Sequence, residues 1–216
     1  MSADVGEMRH DYEPEPLRRD EVAEDPADQF EAWFEEAERL SRRDLPNAGT
    51  LSTSTAEGRP SARMVLLKEF GPEGFVIYSN YRSRKGREIA ENPRVALTLW
   101  WPILERQVRI GGPVEKVGPE RSDAYFARRP RASQLSAWAS AQSSAVAGRE
   151  ELEDRMEAAR SRFDGQSVPR PDHWGGYRIE PVEIEFWHGQ PHRLHDRIRY
   201  RRAEVGADWV IERLAP

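Results

Sequence analysis

The spacing of apolar residues along the chain changes from a helical period to a strand period near residue 48. In the segment before this point, apolar side chains recur every three or four residues, which predicts an amphipathic helix. The helix is expected to begin after Asp25 as its N-cap, with Pro26 in its first turn. Its apolar stripe comprises Phe30, Trp33, Phe34, Ala37 and Leu40.

After residue 48, short apolar segments alternate with turn residues, a pattern typical of antiparallel strands. Helical segments are expected between some of them, and Ser83 is the predicted N-cap of the first. The predicted strands cover 48–55, 60–68, 75–79, 94–101, 104–111, 113–117, 176–179, 182–187, 193–200 and 209–212. The predicted helices cover 84–91, 119–128, about 132–141 and about 149–163.

Many short strands with a few inserted helices favour a mainly β protein with helices (α+β), folded as a closed or partly closed antiparallel barrel. Residues 1–24 are polar and acidic and contain two prolines, which predicts a flexible acidic leader. Residues 25–216 are expected to form a single domain.

The composition excludes several classes of protein. The chain has 216 residues, 38% of them hydrophobic, and no apolar run approaches the roughly 18 residues that span a bilayer. No basic segment followed by an apolar stretch opens the sequence, so we expect no secretory signal and a cytoplasmic location. The absence of cysteine excludes disulfides, thiolate nucleophiles and zinc sites built on sulfur.

Charge is divided unevenly along the chain. Residues 1–47 contain 15 Asp and Glu against 6 Lys and Arg, a balance of −9, whereas the rest contains 23 against 27, a balance of +4. A mildly basic body suits small anionic ligands better than a nucleic-acid backbone, so no nucleic-acid partner is expected. Only Lys68, Lys85 and Lys116 are lysines, beside 30 arginines.

One segment near the end of the chain concentrates positive charge. If residues 193–197 are extended, Arg193, His195 and Arg197 share one face, with the aromatic ring of Trp187 beside them. Such a face is electrostatically unfavourable without an anion against it. The alternative is a solvated edge strand whose charges prevent aggregation.

Two further segments are candidate anion sites. Ideal strand alternation places Arg63 and Lys68 on opposite faces, so a shared ligand requires a bulge or a strand end between them. The alternative is a core strand whose basic ends reach solvent. The segment from Tyr78 to Gly86 leads from a strand into a helix start, where free amides and cations favour phosphate, although a solvated helix start has the same sequence features.

Other polar residues suggest a bound organic cofactor. Gln107 shares a strand face with Arg109, and a buried glutamine needs hydrogen-bond partners. Tyr125, Arg129 and Ser133 recur every four residues, but Pro130 interrupts the pattern and places them at a helix junction. The sequence contains no Walker loop, no dinucleotide glycine motif and no Gly-x-Ser-x-Gly motif, and the histidines lack the spacing of a metal site. Chemistry is therefore expected to come from a cofactor.

An ordered set of motifs across nearly the whole chain resembles the pyridoxine/pyridoxamine 5'-phosphate oxidase family. The set comprises Arg63-Met-Val-Leu-Leu-Lys68, Tyr78-Ser79, Ser83-Arg-Lys85, Asn92-Pro-Arg94, Leu104-Glu-Arg-Gln-Val108, Arg129-Pro-Arg-Ala-Ser-Gln134, Gln142-Ser-Ser144, Trp174-Gly-Gly-Tyr-Arg178, Glu185-Phe-Trp187 and Arg193-Leu-His-Asp-Arg197.

The resemblance implies an FMN-binding split β-barrel with peripheral helices, and a homodimer with FMN sites at the subunit interface. It implies oxidation of pyridoxine or pyridoxamine 5'-phosphate to pyridoxal 5'-phosphate, with molecular oxygen as acceptor giving hydrogen peroxide, and ammonia from the amine. The FMN-binding residues that it implies are Arg63, Met64, Val65, Leu66, Leu67, Lys68, Tyr78, Ser79, Arg84, Lys85, Gln107, Gln142, Ser143, Trp187 and Arg197.

The same resemblance implies a substrate site. Arg193 and His195 would be catalytic residues that orient the substrate ring while a hydride passes to the flavin. The implied substrate-binding residues are Arg9, Tyr12, Lys68, Tyr125, Arg129, Ser133, Arg193 and His195. Alternatives are a related flavin oxidase acting on a phenazine precursor and an FMN-binding protein without turnover.

Overall fold

The computed structural model describes Tyr12, residues 15–41 and residues 45–216, and its central feature is an antiparallel β-barrel. The helices are α1 (Pro26–Leu40), α2 (Arg84–Glu91), α3 (Pro119–Arg128), α4 (Arg131–Ala139) and α5 (Arg149–Arg162). The strands are β1 (Ala48–Ser54), β2 (Pro60–Gly71), β3 (Gly74–Asn80), β4 (Arg94–Trp101), β5 (Arg106–Lys116), β6 (Trp174–Ile179), β7 (Glu183–His188), β8 (Asp196–Arg201) and β9 (Val210–Arg213). Two short 3-10 turns occupy Pro102–Leu104 and Pro191–Arg193.

The barrel closes because β4 and β5 pair with each other. The strand order is β4-β1-β2-β3-β6-β5-β7-β8-β9, and the additional pairing of β4 with β5 joins the first six strands of this order into a ring. Strands β7, β8 and β9 continue the sheet outward from β5. The expected mainly β fold with an antiparallel split barrel and peripheral helices is confirmed.

Strand β5 is continuous, whereas the sequence predicted two strands, 104–111 and 113–117. It pairs with β7 as far as Gly111 and with β6 from Val114 onwards, so Pro113 lies where the strand changes partners. A proline is tolerated at this point because it falls in the gap between the β7 and β6 pairings, while the other edge of β5 stays in register with β4. Gly112 is also required here, since a Cβ atom would lie 2.1 Å from the carbonyl oxygen of Glu180.

The prediction of an extended segment over 193–197 is wrong. Strand β8 begins only at Asp196, and residues Pro191–Arg193 form a 3-10 turn. Both His192 (φ 57°) and Arg193 (φ 63°) have left-handed backbone conformations, which strand geometry excludes. Arg193, His195 and Arg197 therefore do not share a face through strand alternation.

Helix α1 closes one end of the barrel with its aromatic stripe. Phe30 is fully buried and lies edge-on to Phe70 and Phe75, with ring centroids 4.8 and 4.9 Å apart. Burial of each such side chain stabilises the fold by about 1.5–3 kcal/mol. A second apolar cluster lies beneath α3, α4 and α5, where Phe126 and Trp174 pack with ring centroids 5.1 Å apart.

Part of the predicted leader is attached to the barrel. Val22 is buried in the main core, and the hydroxyl of Tyr200 donates to the carbonyl of Ala23 at 2.6 Å. The boundary between a leader of residues 1–24 and a domain of residues 25–216 stays a prediction. None of the helices in the described ranges has the length and apolar character needed to cross a membrane.

Candidate functional site

A cleft of about 460 Å³ lies between β2, β3 and the α3–α4 junction, and the predicted phosphate-binding residues line it. It brings together all four side chains that the resemblance assigns to the substrate phosphate: Lys68, Tyr125, Arg129 and Ser133. It also brings together part of the expected cofactor set: Met64, Val65, Leu66, Tyr78, Ser79, Lys85 and Gln142. The remaining lining residues are Arg128, Pro130 and Trp174.

Lys85 is a buried cation on the wall of this cleft. Its Nζ lies 3.2 Å from the Ser79 hydroxyl, 3.4 Å from the Ser83 hydroxyl and 3.4 Å from Oε1 of Gln142. In the described part of the chain these neutral oxygens are its hydrogen-bond acceptors. Burial, followed by the charge of Arg63, lowers the pKa of Lys85 below its usual range. A buried ammonium without a carboxylate partner fits an anionic ligand.

Arg129 and Lys68 are two further cations that line the cleft. The Arg129 guanidinium lies over the Trp174 ring at 4.4 Å, and its buried Nη1 has no hydrogen-bond partner within the residues described. Burial lowers the pKa of Arg129. Burial and the charge of Arg129 lower the pKa of Lys68. A phosphate here would satisfy the unpaired donor and offset the repulsion between the two cations.

Stacked aromatic rings form one side of the cleft. The rings of Tyr78 and Tyr125 are parallel within 6° at a centroid distance of 3.8 Å, and Trp174 continues the stack 5.6 Å from Tyr78. The Tyr78 hydroxyl donates to Glu69 at 2.7 Å, and Arg121 donates to the same carboxylate at 2.6 and 2.9 Å. The hydrogen bond to Glu69 fixes the orientation of the Tyr78 ring, which stacks on Tyr125.

The bulge that the sequence required in β2 is present. The pairing of β2 with β3 shifts register between Leu67 and Glu69, so Lys68 lies at the irregularity. Leu67 is buried in the core, whereas Met64 and Leu66 are exposed beside the cleft. Arg63 does not line the cleft itself, and its guanidinium contacts Glu88 at 3.2 Å.

The start of α2 places one of its two expected cations in the cleft. The Ser83 side chain caps the helix by accepting from the Gly86 amide at 3.3 Å. Lys85 then points into the cleft, while Arg84 donates to Glu88 at 2.8 Å. Of the expected 142–143 pair, Gln142 lines the cleft and the exposed Ser143 has a left-handed φ of 71°.

A second group of expected site residues lies on β5, β7 and the turn before β8. Gln107 pairs with Trp187, which in turn pairs with Arg197. The rings of Trp187 and His195 are 4.7 Å apart, and Tyr12 lies edge-on to them at 5.8 and 5.5 Å. Tyr12 thus covers the Trp187 and His195 rings. Arg9 lies outside the described residues.

Charges in this second group are partly compensated. Arg197 donates to the buried carboxylate of Glu185 at 2.8 and 3.0 Å, and Arg109 approaches the same carboxylate at 3.3 Å. The hydrogen bonds that Arg197 donates to Glu185 raise the pKa of Arg197. Arg193 is exposed on the strained turn. Burial, and then the positive charge of Arg193, lower the pKa of His195.

The main chain fixes the tautomer of His195. The amide of Gln190 donates to Nδ1 at 3.0 Å, so the neutral ring carries its proton on Nε2. The Gln190 side chain donates to the carbonyl of Glu15 at 3.3 Å and so connects the turn to the leader.

Asp196 and Arg213 hold the leader beside this turn. The Leu17 amide donates to Asp196 at 2.9 Å, and Arg213 donates both to Asp196 and to the Leu17 carbonyl. We call these three residues the leader clamp. Leu17 follows Tyr12 by five residues in the chain, and Asp196 directly follows His195.

Sequence reasoning missed Glu88, Glu185, Gln190 and the leader clamp as parts of the site. A signal existed for Glu185, because an acidic residue between Ile184 and Phe186 in a buried strand needs a cationic partner. Gln190 and the leader clamp had none, since their contacts join segments distant in sequence.

The second group lies outside the lining of the cleft in one chain. None of the described residues that line the cleft belongs to the second group, which comprises Gln107, Trp187, Arg193, His195 and Arg197. One copy therefore does not bring all expected site residues together.

Comparisons with known proteins agree over the full length. A family model described as pyridoxamine 5'-phosphate oxidase matches residues 27–163, and one described as the pyridoxine 5'-phosphate oxidase C-terminal dimerisation region matches residues 174–216. The pyridoxine/pyridoxamine 5'-phosphate oxidase of Salinibacter ruber is 50% identical over 98% of this chain and 99% of its own. That of Gloeothece citriformis is 51% identical over 100% of both.

A solved structure extends the comparison to the fold. PhzG from Burkholderia lata 383, in complex with tetrahydrophenazine-1-carboxylic acid, matches with a TM-score of 0.85 and 30% identity, covering 93% of this chain and 98% of its own.

Proposed function

The chain belongs to the pyridoxamine 5'-phosphate oxidase family, and we propose that each active site combines the cationic cleft of one copy with the Trp187 and His195 group of a second copy. The protein oxidises pyridoxine or pyridoxamine 5'-phosphate to pyridoxal 5'-phosphate with FMN as cofactor. Its C-terminal dimerisation region indicates a homodimer. The observation that carries the proposal is that, among the described residues, the cleft of one chain is lined by the first group of expected site residues and by none of the second.

The cleft suits two phosphate groups. Buried Lys85, with Ser79 and Gln142 around it, would hold the FMN phosphate through charge-assisted hydrogen bonds. Lys68 and Arg129 would hold the substrate phosphate, with hydroxyls of Tyr125 and Ser133 as further donors. Each phosphate monoester carries close to two negative charges near pH 7, which matches the excess of cations.

The second group would orient the substrate ring. FMN, when bound, supplies the two-electron acceptor and passes the electrons to molecular oxygen, which leaves as hydrogen peroxide. His195 donates from Nε2 because Nδ1 is engaged by Gln190. Arg193 would place a fixed positive charge beside the substituent of the carbon that is oxidised, and Tyr12, whose ring lies 5.8 Å from that of Trp187, would exclude water on that side.

A spectroscopic experiment tests the activity. Purified protein with FMN is mixed anaerobically with pyridoxamine 5'-phosphate. The flavin absorbance should bleach, and admission of air should restore it with formation of peroxide. A flavin spectrum that stays unchanged would contradict the oxidase activity, and pyridoxamine without phosphate serves as the matched control substrate.

A mixing experiment tests the two-copy site. Arg129→Met and Arg193→Met each remove one half of the site, and equal amounts of the two variant dimers are dissociated and reassociated together. If the halves come from different copies, half of the dimers are mixed and each regains one intact site, giving about a quarter of the wild-type rate. No recovery in dimers shown to be mixed would mean that both halves come from the same copy.

The PhzG match favours a second candidate, oxidation of a phenazine precursor. The two cations, Lys68 and Arg129, with two hydroxyls in the same cleft suit a phosphate better than a carboxylate. Bleaching by a tetrahydrophenazine carboxylic acid but not by pyridoxamine 5'-phosphate would favour the second candidate.

A further inference from the structure

Glu88 is a buried carboxylate that binds four side chains at once. It lies on α2, is 4% exposed, and accepts hydrogen bonds from Thr53 and Ser61, which are opposite each other on β1 and β2. Arg63 lies 3.2 Å from its Oε2, and Arg84 donates to its Oε1 at 2.8 Å. Both of its oxygens are therefore occupied by donors.

The contacts of Glu88 fix one arginine that is otherwise free to move. Arg84 is 60% exposed in its side chain, and a long exposed guanidinium has many accessible rotamers. Arg63 is 20% exposed and also donates to Thr53, Ser61 and the carbonyl of Leu51. The shared carboxylate places the two guanidiniums on the same side of α2.

This cluster adjoins the cleft. Lys85 follows Arg84 in the first turn of α2 and lines the cleft, and burial, followed by the charge of Arg63, lowers the pKa of Lys85. Three cations thus surround the start of α2, where free helix amides also favour an anion. One carboxylate, Glu88, holds two of them and leaves the third free of any acidic partner described here.

We propose that Glu88 is a positioning residue that holds Arg63 and Arg84 beside Lys85, and that it thereby sets the preference of this protein for flavin 5'-phosphate over riboflavin. The inference rests on the proposed FMN site at Lys85. Glu88 would not contact the FMN phosphate itself and would act through the two arginines. A preoriented guanidinium loses less side-chain entropy when it binds phosphate, so the effect falls on the phosphorylated ligand alone.

The experiment compares binding of FMN and riboflavin to full-length protein freed of flavin, by quenching of flavin fluorescence. Glu88→Gln keeps the size and the hydrogen-bonding oxygen but removes the charge. We expect FMN affinity to fall about tenfold and riboflavin affinity to change less than twofold. Glu91→Gln, on the exposed side of the same helix, is the matched control and should alter neither.

A second variant keeps the test decisive if Glu88→Gln is poorly folded. Arg84→Gln removes an exposed side chain and should lower FMN affinity alone. Because Glu88 is proposed to act through the arginines, the double variant should lose less FMN affinity than the product of the two single losses. Equal weakening of FMN and riboflavin by Glu88→Gln, or fully multiplicative losses in the double variant, would overturn the inference.

The same titrations separate this inference from the proposed function. If wild-type protein binds FMN no better than riboflavin, the phosphate site at Lys85 is wrong. If wild-type protein prefers FMN and Glu88→Gln retains the full preference, the site stands and the role of Glu88 is wrong.

Discussion

The main-chain amide of Gln190 donates a hydrogen bond to Nδ1 of His195 at 3.0 Å, which leaves Nε2 as the proton-bearing atom of the neutral ring. The donor is a main-chain amide, so the contact does not depend on the rotamer of the Gln190 side chain. The proposed active site would thereby contain a histidine with a defined donor atom.

Removal of Arg193 should raise the pKa of His195. Burial and the charge of Arg193 both lower this pKa below its ordinary value of 6.5, so Arg193→Gln removes one of the two causes. The neutral ring exists above the pKa, and the acid limb of the pH profile for flavin reduction should therefore move to higher pH. NMR titration of His195 measures the shift directly. Arg201→Gln, an exposed position on β8, is the control, and an unchanged His195 titration in Arg193→Gln would contradict the prediction.

Arg129 should distinguish phosphorylated from unphosphorylated substrate. A charge-assisted hydrogen bond contributes about 1.5–3 kcal/mol, so Arg129→Met should lower kcat/KM for pyridoxamine 5'-phosphate about 10- to 100-fold. The rate with pyridoxamine should change little, since no phosphate contact is lost. Arg160→Gln, an exposed arginine on α5, should leave both rates unchanged. Equal losses with the two substrates would contradict a phosphate-binding role for Arg129.

The leader clamp should control the order of the leader. Asp196→Ala removes the acceptor of the Leu17 amide, and exchange of that amide should accelerate about 10- to 100-fold because a charged hydrogen bond is lost. Slower flavin reduction should accompany it, since Tyr12 covers the site from the same segment. Glu212→Gln breaks another ion-pair cluster between β8 and β9 and is the control. Leu17 exchange that is equally fast in both variants would contradict the clamp.

Glycine should be essential at position 112 and dispensable at position 111. A Cβ at Gly112 would lie 2.1 Å from the Glu180 carbonyl oxygen, whereas nothing lies within 4 Å of one at Gly111. Gly112→Ala should destabilise the fold by about 3 kcal/mol or more, or roughly 6–12 °C in Tm. Gly111→Ala should change Tm far less, and similar thermal unfolding of the two variants would contradict the close contact.

Acid stability should depend on Glu88. Burial acts to raise the pKa of this carboxyl, but hydrogen bonds from Ser61, Thr53, Arg84 and Arg63 lower it to about 2, from an ordinary value of 4.5. The stabilisation is fully present above the unfolded pKa and is lost as the pH falls from about 4.5 towards 2.

The shift corresponds to about 3 kcal/mol, and Glu88→Gln should remove this part of the pH dependence of the free energy of unfolding. Denaturant titrations from neutral pH downwards measure it. Glu91→Gln should retain the wild-type slope, and an unchanged slope in Glu88→Gln would disprove the assignment.

Local sequence signals predicted most of the elements. Asp25 and Ser83 cap helices at the predicted positions, and α2, α3 and β4 have the predicted bounds. The predictions failed where contacts between segments distant in sequence determine the local structure. In the sequence Pro113 indicates a strand end. In the structure it lies inside β5, where the strand changes its partner from β7 to β6.

The candidate site was likewise predictable where local motifs exist and unpredictable where long-range contacts determine it. Lys68 and Arg129 were identified from motifs, but strand alternation could not predict that Pro191 would precede two left-handed residues and displace Arg193 from β8. Glu88 and the leader clamp depend on contacts across 25 and 196 residues of chain, for which the sequence has no local signal.

The leader clamp also limits when the leader can attach to the barrel during synthesis. Arg213 follows Leu17 by 196 residues, so translation delivers the leader long before the side chain that binds its carbonyl. The barrel strands β1 to β6 can pair earlier, while the leader remains without this attachment. A growing chain can therefore form the cleft before the leader that carries Tyr12 is attached, and a chain interrupted before β9 would lack this attachment.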